Sequence, residues 1–471
     1  MTTKAETYTI EEALEKAGFG WFHWWMLLIS ALTQIVYACQ ALLPTFLIPI
    51  LDDVWDLEGP WDSMIAIAFF LGNMAGNFCW SKVGDVYGRK RATIYGSLVI
   101  ATFTAATAAA SDLSGLLVCR FFTGFGTPTA VAYTLFIEYS PMLARAKTTL
   151  LFNVAFTIGG VLSVVLAWLV IPTYGDTEGW RLYVLASSVP AWVSCLTTLY
   201  LPESPRYYST TGDFDNAEEA IRKVFKMNRV EPLAGNLLHE NKKITVRGQI
   251  KDLFVPKYWR TSVILGINLM QSTMMYYGII FLSERLFQDY SLYSCEIVTT
   301  LSEIPGYVFG TFTMNSFGRR NMIVWTMSFA TIAFVVIVIL WRYLLNDSYA
   351  WVVIVIAVFL VRCAACLHSI SVRLYLCEYY PTAIRVTAVG AGLGLSRLGA
   401  IAGTFVSEDL DIVTSSTVFT IVSAIGFFTS LLITEDTTYN VLKNDVDRTS
   451  SQLLTSIYEK MKKEYVLVSS V

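Results

Sequence analysis

The stretch Glu138-Tyr139-Ser140-Pro141-Met142-Leu143-Ala144-Arg145 returns 240 residues later as Glu378-Tyr379-Tyr380-Pro381-Thr382-Ala383-Ile384-Arg385. A second string, Gly88-Arg89-Lys90, returns 230 residues on as Gly318-Arg319-Arg320. The strings keep their order and nearly their offset, so the chain reads as a duplicated unit. Apolar runs around them lie at about 26–50, 62–81, 93–110, 114–139, 149–171 and 182–201, and resume at about 261–283, 295–315, 321–345, 350–377, 386–407 and 413–433. A bilayer-crossing helix takes about 20 apolar residues, so these are twelve expected crossings in two sets of six. Each repeated string follows matching runs, the second and eighth or the fourth and tenth. Six crossings return the chain to its starting side, which makes the two halves parallel repeats. Repeats of this kind enclose a central cavity and rock to expose it to each side in turn.

Composition agrees. Of 471 residues, 55% are apolar and only 15% charged, against roughly 25% charged in an ordinary soluble domain. Mean hydropathy is +0.53. Disordered chains, nucleic-acid binders with a basic field and most soluble enzymes are excluded on that basis. The net charge of −3 names no charged partner. Nearly all eight cysteines sit in apolar runs and read as core thiols, including Cys363-x-x-Cys366, which has no thioredoxin-like pattern beside it. No Walker loop, metal-ligand cluster or Ser/His/Asp arrangement stands out, so no enzyme chemistry, cofactor or metal is expected.

The first 22 residues are polar and acidic, and the run that follows is too long for a signal peptide. Thr9-x-x-Glu12 is a capping box opening a short helix with Ile10, Ala13, Leu14 and Ala17 on one side. That helix is expected along the membrane surface, with Trp21, Trp24 and Trp25 at the interface. Loops on one side carry Asp52, Asp53, Asp56, Glu58, Asp112, Asp176, Glu178, Asp289, Asp347, Glu408 and Asp409, with only Arg181, Arg285 and Arg342 as basic residues. The other side holds Lys82, Arg89, Lys90, Arg91, Arg145, Lys147, Arg319, Arg320, Arg385 and the basic stretch 206–260. This asymmetry puts both termini in the cytosol. The expected organisation is a cytosolic segment 1–22, a six-helix bundle 23–201, a cytosolic linker 202–259, a second bundle 260–434 and a cytosolic tail 435–471. In the linker, Asp213 can cap a surface helix with Phe214, Ala217, Ile221 and Phe225 along one stripe, and Glu218–Arg222 and Glu219–Lys223 are i,i+4 pairs.

Asp85-Val86-Tyr87-Gly88-Arg89-Lys90 resembles the loop signature of the major facilitator superfamily, and Pro202-Glu203-Ser204-Pro205-Arg206 resembles that of its sugar and organic-ion porters. The similarity is closest to the SVOP-like, synaptic-vesicle-related transporters. It runs from Glu11-Glu12-Ala13 and Gly18-Phe19-Gly20, through Ala144-Arg145-Ala146-Lys147, Tyr276-Tyr277-Gly278 and Thr299-Thr300-Leu301-Ser302-Glu303, to Ser396-Arg397-Leu398-Gly399-Ala400. Organic cation and anion transporters are near in pattern, but they usually have a long, cysteine-rich first outer loop, and here it is short and has no cysteine. The chain departs from the vesicle-related subgroup at Tyr37 and Gln40, where acidic residues are expected, at Arg373, where Tyr is expected, and at Asn315, which replaces an Asp.

The resemblance implies an all-α membrane protein of the major facilitator fold working by alternating access. An ionisable side chain in a span costs roughly 2.5–3.5 kcal/mol on insertion scales unless paired or hydrated, so each one needs a reason. Arg120 lies 18 residues, or five turns, before Glu138, so the two are expected to share a helix face. Arg362 resembles the counterpart of Arg120 in the second half. Either can pack helices through carbonyl hydrogen bonds. Arg373 and Arg397 are candidates to bind an anionic substrate group, because a guanidinium grips carboxylate or phosphate bidentately. The alternative is that they pair with Glu303, Glu378 or carbonyls. Glu303 is a candidate proton acceptor or a static ion-pair partner, and Pro305 two residues later can break the eighth helix there. His368 reads as a hydrogen-bonded packing residue, with a proton relay or a ligand contact as the alternatives. Tyr37, Gln40, Gln271, Tyr276 and Tyr277 lie on spans that line the cavity in this family. Asp85, Gly88, Arg89, Glu138, Arg145, Glu203 and Arg206, with Gly318, Arg319, Glu378 and Arg385, form a candidate cytosolic gate, with Gly88 and Gly318 at tight turns.

The functional expectation is a secondary transporter of a small organic anion or zwitterion, with proton coupling open, in a vesicle, endosomal or plasma membrane. The alternatives are an organic cation transporter and a non-transporting vesicle membrane protein acting as receptor or regulator. Asn346-Asp347-Ser348 is a glycosylation acceptor close to the membrane. The C-terminal Ser469-Ser470-Val471 fits a PDZ-domain partner.

Overall fold

The structure is a computed structural model that describes residues 7–55, 61–238, 250–286, 292–343, 350–381 and 384–438. The Asn346 sequon, the Ser469-Ser470-Val471 tail and the acidic loop positions Asp56, Glu58, Asp289 and Asp347 lie outside the described residues, as do the side chains of Asp176, Cys295, Asn315 and Asp409.

The helices follow the apolar runs. In the first half they are α1 (Ile10–Ala17), α2 (Trp21–Trp55), α3 (Trp61–Tyr87), α4 (Arg89–Thr107), α5 (Leu113–Phe125), α6 (Thr129–Tyr139), α7 (Arg145–Tyr174) and α8 (Asp176–Thr198). The linker carries α9 (Pro205–Thr211) and α10 (Phe214–Asn228). The second half has α11 (Trp259–Leu286), α12 (Leu292–Leu301), α13 (Glu303–Phe317), α14 (Arg319–Tyr343), α15 (Ala350–Tyr379), α16 (Arg385–Asp409) and α17 (Ile412–Leu431). Among the described residues, eight helices are long and apolar enough to cross a membrane, namely α2, α3, α7, α11, α14, α15, α16 and α17. The other four expected crossings fall on α4 and α8, which are richer in Ser, Thr and charge, and on two interrupted runs.

Both interruptions have a local cause. The run expected as one span over 114–139 breaks at Gly126-Thr127-Pro128, where proline has no N–H to continue the helix and the Gly126 Cα packs against the α4 backbone at Ile100 so closely that a Cβ would not fit. Arg120 and Glu138 are therefore on different helices, not on one continuous face. The run expected over 295–315 breaks at Ser302. Pro305 is the third residue of α13, one of the positions whose N–H has no partner within its own helix, so the break falls just ahead of the proline.

The halves meet where α3 packs on α16 and where α7 packs on α12 and α13. Within the halves, α2 packs on α7, α11 on α16, and α14 on α15 and α17. The N-terminal helix differs from expectation. Thr9 caps α1 with a complete capping box, but α1 rests on α10 with Ile10, Ala13, Leu14 and Ala17 buried in a core shared with Ile221 and Phe225. A short parallel pair, β1 (Thr7–Tyr8) with β2 (Asn236–Leu237), continues that contact. Protein, not lipid, covers its apolar side. Asp213 caps α10 as expected, accepting from the Asn216 N–H at 3.3 Å.

Candidate functional site

The repeated loop strings converge on one face of the bundle, the motif face. The α3–α4 turn needs Gly88, whose φ of 105° disfavours any side chain and whose added Cβ would run into Glu203. Glu203 accepts from the N–H groups of Arg89 at 2.9 Å, Lys90 at 3.1 Å and Ser204 at 2.9 Å, so a carboxylate sits on the N-terminus of α4. Burial pushes the Glu203 carboxyl up, opposed by these N–H groups and by the Arg89 guanidinium. The second half repeats the device with a residue that sequence reading missed. Asp436 accepts from the Arg319 N–H at 3.2 Å and stands against Gly318, whose φ is 84°. Its signal was present, since Asp436 follows the last apolar run as Glu203 follows the sixth.

Behind the turns lies a buried charge layer. Arg89 pairs with Asp85 at 3.2 Å and with Glu138 at 3.4 Å, and Arg319 pairs with Glu378 at 3.2 Å. Two contacts cross between the halves. Arg385 reaches Glu138 at 3.4 Å, and Thr387 gives its N–H and hydroxyl to Asp85 at 2.8 and 2.7 Å. Arg145 and Arg206 instead share one carboxylate, Glu11 of α1. Burial opposes the Glu11 charge, but the two guanidinium groups outweigh it and hold the carboxyl below its usual range. Glu11 and Thr387 complete this layer, and neither stands in a repeated string.

Midway through the bundle, α2, α7, α11, α13, α15 and α16 border a cavity of about 50 Å³. Tyr37, Tyr276, Tyr277, Arg373 and Arg397 line it, with Gln34, Asn153 and Tyr307. Arg397 donates to the Tyr37 hydroxyl, to Tyr277 at 3.5 Å and to the Leu393 carbonyl at 3.3 Å. Arg373, half-buried, donates to Asn153 Oδ1 at 2.8 Å and to the Ser369 carbonyl at 3.4 Å. Among the described residues, neither arginine has a carboxylate within ion-pair distance. Asn153 was missed because a lone Asn in an apolar run carries no pattern.

Other candidates sit elsewhere. Gln40 accepts from Arg120 through its side chain at 3.2 Å and its carbonyl at 2.7 Å, and Arg120 also stacks over Phe69 at 4.8 Å. Gln271 faces α17, accepting from Thr429 at 3.3 Å. His368 packs on α14, with Nδ1 3.1 Å from Thr326 Oγ1 and 3.0 Å from the Ile323 carbonyl. None of these four is in the cavity wall. Glu303 is fully buried behind the cavity. It accepts from Thr157 at 2.6 Å, from Tyr307 at 3.1 Å and from Tyr276, and lies 3.5 Å from Arg362. Arg362 also pairs with Glu296 at 3.0 Å. Away from the motif face, Phe46 of α2 stacks on Tyr293 of α12 at 5.6 Å, so the halves touch beyond the cavity as well.

This arrangement is a small cavity walled by aromatic and polar side chains, with buried contacts between two half-bundles on either side of it. The family profile described as "Sugar (and other) transporter" matches residues 51–437. Synaptic vesicle 2-related proteins of Xenopus laevis and Rattus norvegicus are each 28% identical over 431 residues, covering 86% of this chain and 76% of theirs. The solved structure of the major facilitator superfamily proton:xylose symporter XylE, bound to 6-bromo-6-deoxy-D-glucose, superposes with a TM-score of 0.72. It covers 89% of this chain and 98% of its own at 13% identity, which speaks for the fold alone.

Proposed function

Because the chain belongs to the sugar (and other) transporter family of the major facilitator superfamily, a family of transporters and not of enzymes, we propose that it carries a small organic anion or zwitterion across a membrane by alternating access. The observation that carries the substrate class is the cavity wall, where Arg373 and Arg397 both reach the chamber without a carboxylate partner among the described residues. A buried guanidinium held only by neutral groups favours an anionic ligand, which it can grip through two N–H groups. A cationic substrate would face two like charges there, and Tyr37 and Gln40 supply no acid in the first span. The same reading puts the motif face, rich in Lys and Arg, in the cytosol, and Glu303 as the acceptor of a coupled proton. The vesicle-related relatives suggest a vesicle membrane.

Thermal unfolding of the purified protein against organic anions, cations, sugars and nucleotides tests the substrate class. A ligand at 100 times its dissociation constant stabilises by about 2.7 kcal/mol. The expected outcome is an anion-selective shift that Arg397→Gln abolishes and Arg373→Tyr weakens. A cation-selective shift that survives both substitutions refutes the anion reading.

A further inference from the structure

Gln34 of α2 stands apart from its polar neighbours in the cavity wall. It borders the cavity and is only 2% exposed, yet its Oε1 has no hydrogen-bond partner among the described residues. The neighbours are served by the fold. Ser272 donates to the Ala365 carbonyl at 3.0 Å, Thr273 to the Leu269 carbonyl at 2.9 Å and Asn153 to the Thr149 carbonyl at 2.7 Å. A buried acceptor left unmet is costly and uncommon in native interiors. In the wall of a cavity, a solute that brings a donor removes that cost.

The position of Gln34 says where on the solute this donor belongs. Gln34 precedes Tyr37 by three residues, so the two share a face of α2 about 4.5 Å apart along its axis. Tyr37 is the residue that receives Arg397. A carboxylate gripped by Arg397 therefore lies within about one helical turn of the Gln34 amide, and the donor falls on the carbon next to the carboxylate. We propose that Gln34 is a specificity-determining residue that accepts a hydrogen bond from this neighbouring group, which narrows the substrate class to small 2-hydroxy acids. The inference rests on the anion reading of Arg373 and Arg397 and deepens it.

Charge and size choose the hydroxyl over an amino group. Arg373 and Arg397 reach the cavity without a carboxylate partner among the described residues. An ammonium beside the carboxylate would add a third positive charge to that wall, whereas a hydroxyl brings its donor without charge. The cavity of about 50 Å³ has room for only a few water-sized groups, so the acid is small. A site that hydrogen-bonds a hydroxyl discriminates against the analogue that lacks it, because its own polar group is then left unpaired.

The test is calorimetric titration of the full-length protein in lipid nanodiscs with propionate, lactate and alanine at fixed ionic strength. These three-carbon acids differ only in carrying hydrogen, hydroxyl or ammonium beside the carboxylate. The expected result is that lactate binds wild type at least about tenfold more tightly than propionate, with alanine no tighter than propionate. In Gln34→Leu the ratio of the lactate and propionate dissociation constants should collapse to about one, whereas Arg397→Gln should weaken both acids. A merely structural role for Gln34 would not move that ratio. Equal binding of lactate and propionate to wild type, tightest binding of alanine, or no binding of any of the three overturns the inference. So does a lactate preference that survives in Gln34→Leu. The wild-type comparison stands whether or not the variants fold. An anion-selective shift in the wider thermal-unfolding panel, without a preference for lactate here, overturns this inference and leaves the anion reading standing.

Discussion

At the residue scale, the membrane interior separates arginines by the company they keep. Arg362 is matched by two acids, whereas Arg373 and Arg397 face the chamber with neutral partners, and that difference is the basis of the substrate assignment. Glu11 shows the same logic at the motif face, where it is the carboxylate that Arg145 and Arg206 share. Removing one partner of a buried charge pair typically costs about 3–5 kcal/mol, because the other is left uncompensated. Glu11→Gln should therefore lower stability by about 3 kcal/mol or more, since two guanidinium groups lose their acceptor charge. The pH dependence follows from the sign of the shift. The folded-state value of Glu11 is depressed, so its contribution is fully present above the unfolded value of about 4.3 and is lost as pH falls through the lower folded value. Thermal unfolding of wild type and Glu11→Gln across that acid range checks this, and the gap between them should close as pH falls. A constant gap would mean that Glu11 contributes through packing alone.

At the element scale, the turns that enter α4 and α14 are built alike, each with a positive-φ glycine and an acid on the helix N-terminus. Gly88→Ala forces a Cβ into a backbone region that side chains rarely adopt and into the Glu203 carboxylate. It should cost about 1–3 kcal/mol, read as a fall in Tm, while Ala substituted at the open position Ser316 should leave Tm nearly unchanged. Much of this architecture was legible in the sequence, because the glycine strings and the apolar runs are periodic signals. The α1 capping box and the α10 stripe were legible for the same reason. What covers an amphipathic helix was not, since Ile10, Ala13, Leu14 and Ala17 look alike whether lipid or α10 lies over them. The break at Gly126 was hidden because hydropathy continues across it, whereas Pro305 marked the one at Ser302. The chamber was only partly legible. Tyr37, Tyr276, Tyr277, Arg373 and Arg397 reach it, but Gln40, Gln271 and His368 turn toward neighbouring helices, and a span's sequence does not say which way each of its polar residues faces. Asn153 and Glu296 needed their tertiary partners to be seen at all.

At the scale of the whole molecule, two half-bundles touch on both sides of a chamber of about 50 Å³, and motion requires one set of contacts to part while the other holds. On the motif face, among the described residues, the polar contacts between the halves include Arg385 to Glu138 and Thr387 to Asp85, alongside apolar packing such as that of Ala92 and Val131 with Val386. Cys377 of α15 is fully buried in the same layer and reports on it. The central claim is that these contacts are a lock that opens, and alkylation of Cys377 tests it most directly in a variant that keeps only this cysteine. Arg385→Ala should raise the labelling rate at least about tenfold, corresponding to about 1.4 kcal/mol taken from the closed state, with the thermal unfolding transition still cooperative. A labelling rate equal to that of the Arg385 parent would contradict the account, because the motif face would then stay closed without the contact said to close it.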